Sequence, residues 1–267
     1  KDPAGTKALA ILAHKSFAAL KPGGVKVHGG SVILEKGLVE KAFEEMAKEG
    51  VWTVGEIGLG SVKQPEDAAP MVEWAHKYGM KVQMHTGGTS IPGSSTVTAE
   101  QVMATKPDVI SHINGGPTAI PLHEVDKLMD ETDFAMEIVQ CGNPKVTDYV
   151  ARRAQEKGQL GRPRRTGRMS GAEIKKTLID GIIPLGILRN ICQVASVSGI
   201  PGEIAVCMAT GNAARVYDKL NTGMIEVGRE ADLIFLDAPM GSVANTAVEA
   251  FECGDIPGLS IIMVDGV

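Results

Sequence analysis

The sequence predicts an α/β fold, most simply a (β/α)8 barrel of the TIM type followed by a small flanking sheet. Three observations support this prediction. Strand-like and helix-like patterns alternate along the chain, polar residues end successive predicted strands at nearly constant spacing, and the C-terminal segment changes to two isolated strand patterns. The length of 267 residues suits one such domain with a small appendage.

The alternation begins near residue 24. Short apolar runs bounded by glycine or polar clusters predict strands at 24–30, 31–35, 51–56, 80–85, 107–112 and 134–140. Helical spacing of apolar residues predicts the intervening helices at 37–48, 65–78, 98–105, 122–129 and 144–157. Repeated strand-then-helix units are typical of a parallel sheet with crossover helices.

The pattern changes beyond residue 157. Residues 163–181 are basic and helix-like, and residues 184–209 are apolar with helical character. Residues 232–237 and 259–266 then predict two strands of a small, separate sheet.

The composition excludes several classes of function. The formal net charge of −5 gives no electrostatic basis for binding nucleic acid or an anionic membrane, and no apolar run is long enough to span a bilayer. The four cysteines are scattered without a CxxC pair, as expected for free thiols of a cytoplasmic protein. We therefore expect a small-molecule substrate, with no nucleic acid and no membrane as partner.

Three predicted strands end on residues that commonly bind metal ions. Glu56, His85 and His112 each end a strand and lie beside glycines, in the runs GEIGLG, HTGG and HINGG. Glu56 and His85 are 29 residues apart, and His85 and His112 are 27 apart, close to the roughly 30 residues per unit of a barrel. Because the C-terminal strand ends of a barrel meet at one rim, these side chains are expected to surround one point.

One carboxylate and two imidazoles at such a rim suit Zn²⁺, Fe²⁺ or Mn²⁺ and leave a coordination position for water. Water bound to such an ion loses a proton near neutral pH and becomes a nucleophile, so the pattern predicts a hydrolase. The alternative is structural, since each residue alone also suits a hydrogen-bonded polar group at a strand end. His28 is a further candidate for the same rim, whereas the remaining histidines fall in helical segments and are interpreted as structural: His14, His76 and His123.

The same motifs resemble those of the amidohydrolase superfamily. VGEIGLG, VQMHTGGTSIPGSSTVTA and SHINGGPTAI are similar to its strand ends. The closing run ATGNAARVYDKLNTGMIEVGREADLIFLD is similar to its usual tail, in which the last barrel helix leads back into a small β-sandwich. The resemblance covers about residues 1–160 and 182–267. It implies a metal-dependent hydrolase barrel over residues 1–218 and the C-terminal part of the β-sandwich over residues 219–267.

By matched position, the resemblance implies roles for the three strand-end residues. Glu56 corresponds to the carboxylate that bridges two divalent metals, zinc and/or iron, and is therefore also the candidate catalytic residue. His85 and His112 correspond to the histidines that bind the second metal. The implied reaction is hydrolysis of a cyclic amide by metal-activated hydroxide. In the branch of the superfamily that these motifs resemble most, the reaction converts 6-oxo-1,4,5,6-tetrahydronicotinate to 2-formylglutarate and ammonia during nicotinate degradation.

Two motifs of the superfamily are missing from this sequence. No His-x-His occurs, which implies that the first barrel strand lies upstream of Lys1, that the barrel here is partial, and that the sandwich is a remnant. The Gly-Asn-Asp strand end that serves the first metal is replaced by PRRTGRMSGAEIKKTLIDG, in which Asp180 is the nearest acid. The sequence therefore supplies the ligands of one metal site, where the superfamily pattern implies two.

Two alternative functions follow from these departures. One is a catalytically silent metal-binding or assembly protein of the same fold. The other is a cyclic amidase similar to dihydroorotase or hydantoinase, with a different ring as substrate. A barrel that lacks its first strand exposes two sheet edges, so a homo-oligomer is expected.

Overall fold

A computed structural model describes residues 3–19, 25–57, 60–89, 95–115, 119–157, 177–181 and 183–267. The chain divides into two compact units. The first comprises Lys1–Ile113 and Thr118–Phe134, and the second comprises Asn114–Pro117 and Ala135–Val267. The domain boundary predicted between residues 218 and 219 stays a prediction.

The first unit alternates strands with helices. Its strands are β1 (Pro3–Ala4), β2 (Ser31–Val32), β3 (Thr53–Ile57), β4 (Lys81–Met84) and β5 (Val109–Ile110). Its helices are α1 (Lys7–Ala19), α2 (Glu40–Lys48), α3 (Pro65–Lys77), α4 (Ala99–Thr105) and α5 (Leu122–Glu131). Each strand pairs in parallel with the next strand along the chain, which confirms the predicted parallel sheet with crossover helices.

The core of this unit lies between the strands and the helices. Val54, Val82 and Ile110 of β3, β4 and β5 are fully buried, together with Phe43 of α2 and Leu128 of α5. Strands that are buried beneath helices have sequences that are nearly continuous apolar runs, and such runs are recognisable in the sequence.

Helix α4 shows how local sequence sets the limits of an element. Thr98 Oγ1 accepts a hydrogen bond from Gln101 N at 3.3 Å, and Gln101 Oε1 accepts one from Thr98 N at 3.0 Å. This capping box satisfies two backbone donors that the first helical turn leaves unpaired. The helix ends at Lys106, which adopts a left-handed conformation with φ of 56°.

The second unit contains a parallel strand pair and a small separate sheet. Its strands are β6 (Ala135–Val139), β7 (Thr177–Asp180), β8 (Leu233–Asp237) and β9 (Gly258–Met263). Its helices are α6 (Pro144–Glu156), α7 (Gly186–Ser196), α8 (Gly202–Ala209), α9 (Gly211–Val216) and α10 (Ala247–Cys253). Strands β6 and β7 are parallel, whereas β8 and β9 form the predicted small sheet and are antiparallel. Among the described residues, no helix combines the length and the apolar character needed to cross a bilayer.

Three local predictions differ from the structure. Residues 25–30 form no strand, and in the predicted run 31–35 only Ser31–Val32 pairs with a neighbour. Residues 177–180, predicted as part of a helix-like stretch, form β7, because Thr177, Leu178 and Ile179 are all buried beside β6. Residues 163–176 of that stretch lie outside the described residues. The helical segment 184–209 is two helices, separated by a turn at Gly199 with φ of 66°.

Candidate metal centre

The carboxyl ends of β3, β4 and β5 lie side by side in the first unit. The register pairs the last residue of β4 with the last residues of both β3 and β5. Glu56 is the penultimate residue of β3, His85 directly follows β4, and His112 comes two residues after β5. The backbone therefore places the three residues at the same end of adjacent parallel strands. The side chain of Glu56 is outside the described part of the structure, so its role as a ligand stays a prediction.

The imidazole rings of His85 and His112 face each other. His85 Nδ1 and His112 Nε2 are 3.2 Å apart, and the ring planes are inclined by 59° with centroids 4.8 Å apart. His85 is fully buried, and its Nε2 lies 2.9 Å from the carbonyl oxygen of Gly88. Because a carbonyl oxygen only accepts, Nε2 is the donor to Gly88, and a neutral imidazole with its hydrogen there has the Nδ1 lone pair on the side of His112. Metal-binding histidines are usually anchored in this way through their second nitrogen.

The distance between the facing nitrogens is compatible with two ligands of one ion. Imidazole nitrogens about 2.0–2.1 Å from a tetrahedral Zn²⁺ lie roughly 3.3 Å apart, and the observed separation is 3.2 Å. The same separation also suits a hydrogen bond donated by His112 Nε2 to His85 Nδ1. Binding an ion requires the other neutral tautomer of His112, with the hydrogen on Nδ1. The donor set therefore fits a transition-metal ion.

Turns fix the chain around both histidines. Gly87 has φ of 89° and exchanges two backbone hydrogen bonds with Val97, both of 2.9 Å, in a conformation that glycine adopts without steric cost. His112 has φ of 37°, a left-handed conformation that costs an L-residue about 1–2 kcal/mol. Backbone strain of this kind concentrates at functional sites, where the surroundings hold it in place.

His28 does not share this end of the strands. Its ring is edge-on to Trp52, with centroids 6.5 Å apart, and Trp52 precedes β3 at the end opposite to Glu56. The suggestion that His28 faces the same rim is therefore wrong. In the second unit, Asp180 is the last residue of β7, and its Oδ1 accepts a hydrogen bond from Gly181 N at 2.7 Å.

Thr86 was not among the residues predicted from the sequence, although it adjoins His85 and is also buried, with 1% exposure. Its hydroxyl donates to a carbonyl oxygen of the neighbouring strand end, that of Ser111, at 3.2 Å. The available signal was a hydroxyl side chain directly between a candidate ligand and a pair of glycines.

A second cluster of oxygen ligands occurs in the second unit. Carboxylate oxygens of Glu230, Asp232 and Asp265 lie within 4.8 Å of one another, and all three residues are exposed. Within the described residues, no histidine or cysteine belongs to this group. Its oxygen-only donors and exposure differ from the buried imidazole pair of the first unit.

Comparison with known proteins identifies one close relative. No family model matches the chain. Enamidase from Eubacterium barkeri is 68% identical over 266 residues, which cover 100% of this chain and 67% of that protein. A crystal structure of enamidase, described as a new member of the amidohydrolase superfamily, matches with a TM-score of 0.89 at 65% identity, covering 100% of this chain and 67% of that one.

More distant structures share the fold only. N-acetylglucosamine-6-phosphate deacetylase from Pasteurella multocida has a TM-score of 0.55 at 12% identity, covering 96% of this chain and 70% of that one. N-acyl-D-glutamate deacylase from Bordetella bronchiseptica, complexed with zinc and a phosphonate inhibitor, has a TM-score of 0.51 at 13% identity, covering 97% and 74%. The match to the enamidase structure confirms the predicted fold class.

Proposed function

Because the chain belongs to the amidohydrolase superfamily, as a homologue of enamidase, we propose that it hydrolyses the C–N bond of a cyclic amide. The proposed substrate is 6-oxo-1,4,5,6-tetrahydronicotinate. One water opens the ring amide, a second hydrolyses the resulting enamine, and the products are 2-formylglutarate and ammonia. The observation that carries the proposal is the facing pair His85 and His112 at adjacent strand ends, in a chain 68% identical to enamidase.

The proposed ligands of one divalent ion are His85 Nδ1 and His112 Nε2, with the carboxylate of Glu56 as third ligand and bridge to a second ion. A divalent ion held there supplies an acidic water ligand and a Lewis acid that polarises an amide carbonyl. Zinc and iron(II) both accept imidazole and carboxylate donors. We propose zinc and/or iron, with two ions when the site is complete.

The protein contributes by fixing the orientation of these ligand side chains before an ion binds. The hydrogen bond from His85 Nε2 to the Gly88 carbonyl fixes both the ring orientation and the nitrogen that offers a lone pair. Burial of His85 removes competing water from that nitrogen.

The test is metal-dependent turnover on a panel of cyclic amides. The chain is stripped with a chelator, reloaded with Zn²⁺ or Fe²⁺, and given 6-oxotetrahydronicotinate, dihydroorotate or hydantoin, with ammonia release and loss of enamide absorbance as readouts. We expect turnover of the six-membered enamide only with metal, lost in H85A and kept in H123A, whose histidine is exposed on α5.

Two other results would favour the alternatives. Bound metal without turnover of any lactam would favour the silent metal-binding protein of the same fold. Preferential turnover of dihydroorotate or hydantoin would favour the other group of cyclic amidases.

We further propose that the protein acts in the cytoplasm as a homo-oligomer. All four cysteines are free thiols, as in proteins of a reducing compartment: Cys141, Cys192, Cys207 and Cys253. Light scattering coupled to gel filtration measures the mass in solution, and a monomeric mass at micromolar concentration would contradict the oligomer.

A further inference from the structure

We infer that Thr86 is a positioning residue for His112. Its hydroxyl holds the peptide unit that precedes His112, and this keeps the His112 imidazole at ligand distance from His85. The inference rests on the proposed function, because it requires His112 to be a metal ligand.

Ser111 is held by hydrogen bonds on both sides of its backbone. Ser111 N donates to Met84 O at 2.8 Å, the last backbone hydrogen bond that β4 accepts at this end. The carbonyl oxygen of Ser111 accepts from Thr86 Oγ1 at 3.2 Å. Ser111 is fully buried and Thr86 is 1% exposed, so bulk water does not compete for this carbonyl. Ser111 is thus fixed on its N–H side by the backbone of β4 and on its C=O side by the side chain of Thr86.

That carbonyl controls the backbone of His112. The C=O of Ser111 and the N–H of His112 belong to the same planar peptide unit. Fixing the plane therefore sets the reference from which φ of His112 is measured, and that angle is 37°. A left-handed conformation at a residue with a Cβ persists only when its surroundings over-determine it. The net strength of one hydrogen bond and the strain at one left-handed residue are of the same order, so this hydrogen bond accounts for a substantial part of what holds the strained backbone in place.

Release of the strain would move the imidazole. Rotation of the peptide toward a negative φ redirects the Cα–Cβ bond of His112 and carries Nε2 away from its position 3.2 Å from His85 Nδ1. Thr86 also adjoins His85 directly, so one dipeptide supplies a ligand from β4 and holds the ligand that follows β5. A valine at this position has the same shape but no hydroxyl, and it would fill the space without holding the carbonyl.

The test compares two substitutions that separate the hydroxyl from the methyl group. T86V removes the hydroxyl and keeps the shape, whereas T86S keeps the hydroxyl and loses the methyl group. Zinc affinity of the full chain is measured by competition with a chromophoric chelator, and the unfolding midpoint is measured in excess EDTA. We expect T86V to bind zinc about 10–100-fold more weakly, the usual effect of losing a residue that orients a ligand, and T86S to retain wild-type affinity.

Other outcomes overturn the inference. If T86V keeps wild-type zinc affinity and only lowers the unfolding midpoint measured in EDTA, the role of Thr86 is purely structural. If T86V and T86S weaken binding equally, packing of the methyl group is responsible and the hydroxyl is not. Should T86V not fold, T86A against T86S makes the same comparison: weaker zinc binding by T86A alone supports the role of the hydroxyl, and equal binding by the two variants overturns it.

H112A in the same assay separates this inference from the proposed function. If H112A binds zinc weakly while T86V binds zinc like the wild type, only the role of Thr86 is refuted. Wild-type binding by H112A would remove His112 as a ligand, and both proposals would fail together.

Discussion

Asp108, which immediately precedes β5, ties several parts of the first unit together. Its Oδ2 accepts hydrogen bonds from His76 Nε2 and Val82 N, both at 2.8 Å, and its Oδ1 lies 3.5 Å from Lys81 Nζ. Burial raises the pKa of the Asp108 carboxyl, but the hydrogen bonds from His76 and Val82, together with the electrostatic attraction of His76 and Lys81, outweigh burial, so the pKa is lowered overall. Such a group stabilises the fold above its unfolded pKa of about 3.9, and the contribution is lost as pH falls through the lowered folded pKa.

The substitution D108N tests this account. Asn retains an acceptor for Val82 but loses the charge, and we expect the free energy of unfolding to fall by about 1–3 kcal/mol at pH 7. The difference from wild type should shrink as pH falls below about 4, where the unfolded wild-type carboxyl takes up a proton, and it should be lost once the pH is below the lowered folded pKa. Urea unfolding at several pH values measures both effects. D67N is the control, because Asp67 forms an ion pair with Lys36 at the surface. A D108N effect that stays constant into acid would contradict this expectation.

The cysteines differ in reactivity for a physical reason. Burial, aided by nearby Asp255, raises the pKa of the Cys192 thiol to about 11, and burial also raises the pKa of Cys207. Cys141 and Cys253 are exposed. Because the thiolate is the nucleophile, iodoacetamide at pH 8 should modify Cys141 and Cys253 first and Cys192 only after unfolding. Peptide mass spectrometry over time measures the order, and equal rates at Cys192 and Cys141 in the folded chain would be inconsistent with it.

Strands β6 and β7 depend on buried asparagine side chains to complete their hydrogen bonding. Asn114 Oδ1 accepts from Val139 N at 2.8 Å and its Nδ2 donates to Val139 O at 2.9 Å, so a side chain pairs the end of β6 as a neighbouring strand would. Asn190 Nδ2 donates to the carbonyl oxygens of Ile138 and Asp180, at 2.8 and 2.9 Å. Together, these two hydrogen bonds join α7 to the ends of both strands.

Removal of the Asn114 amide should therefore destabilise the element it completes. N114A leaves two buried backbone groups of Val139 without that partner, and we expect a loss of about 2–4 kcal/mol in the free energy of unfolding. N114D should lose at least as much, because it buries a carboxylate whose second oxygen faces the carbonyl oxygen of Val139. Asn221 is exposed, and N221A is the matched control. Equal stability of N114A and N221A would refute the role.

The order of the elements was predictable, but their exact extent was not. The repeated spacing of Glu56, His85 and His112 predicted adjacent parallel strands, because one barrel unit has a nearly fixed length. Strand β5 has only two residues, because the regular strand pairing ends where Ser111 is followed by the left-handed His112. No sequence pattern encodes a positive φ at a histidine. Strand β7 was missed because its four residues follow a basic run that dominates the local composition. The contact of Thr86 with Ser111 joins residues of different strand ends, which only the folded register reveals.

Over the complete chain, metal binding should be linked to folding. An ion that binds only the folded chain stabilises it by about 2.7 kcal/mol at a free concentration one hundred times its dissociation constant. We expect Zn²⁺ to raise the unfolding midpoint of the wild type relative to EDTA, and to have little effect on H85A or H112A. Both variants should otherwise keep the fold, as circular dichroism in EDTA would show. A zinc-dependent midpoint that persists in both variants would place the stabilising ion elsewhere.

Crystals of the zinc-loaded chain, with anomalous data collected at the zinc absorption edge, would locate the ion directly. The expected result is an anomalous peak about 2.0–2.2 Å from both His85 Nδ1 and His112 Nε2. Rings turned away from each other without a peak between them, or a peak only at the exposed carboxylates of Glu230, Asp232 and Asp265, would contradict it.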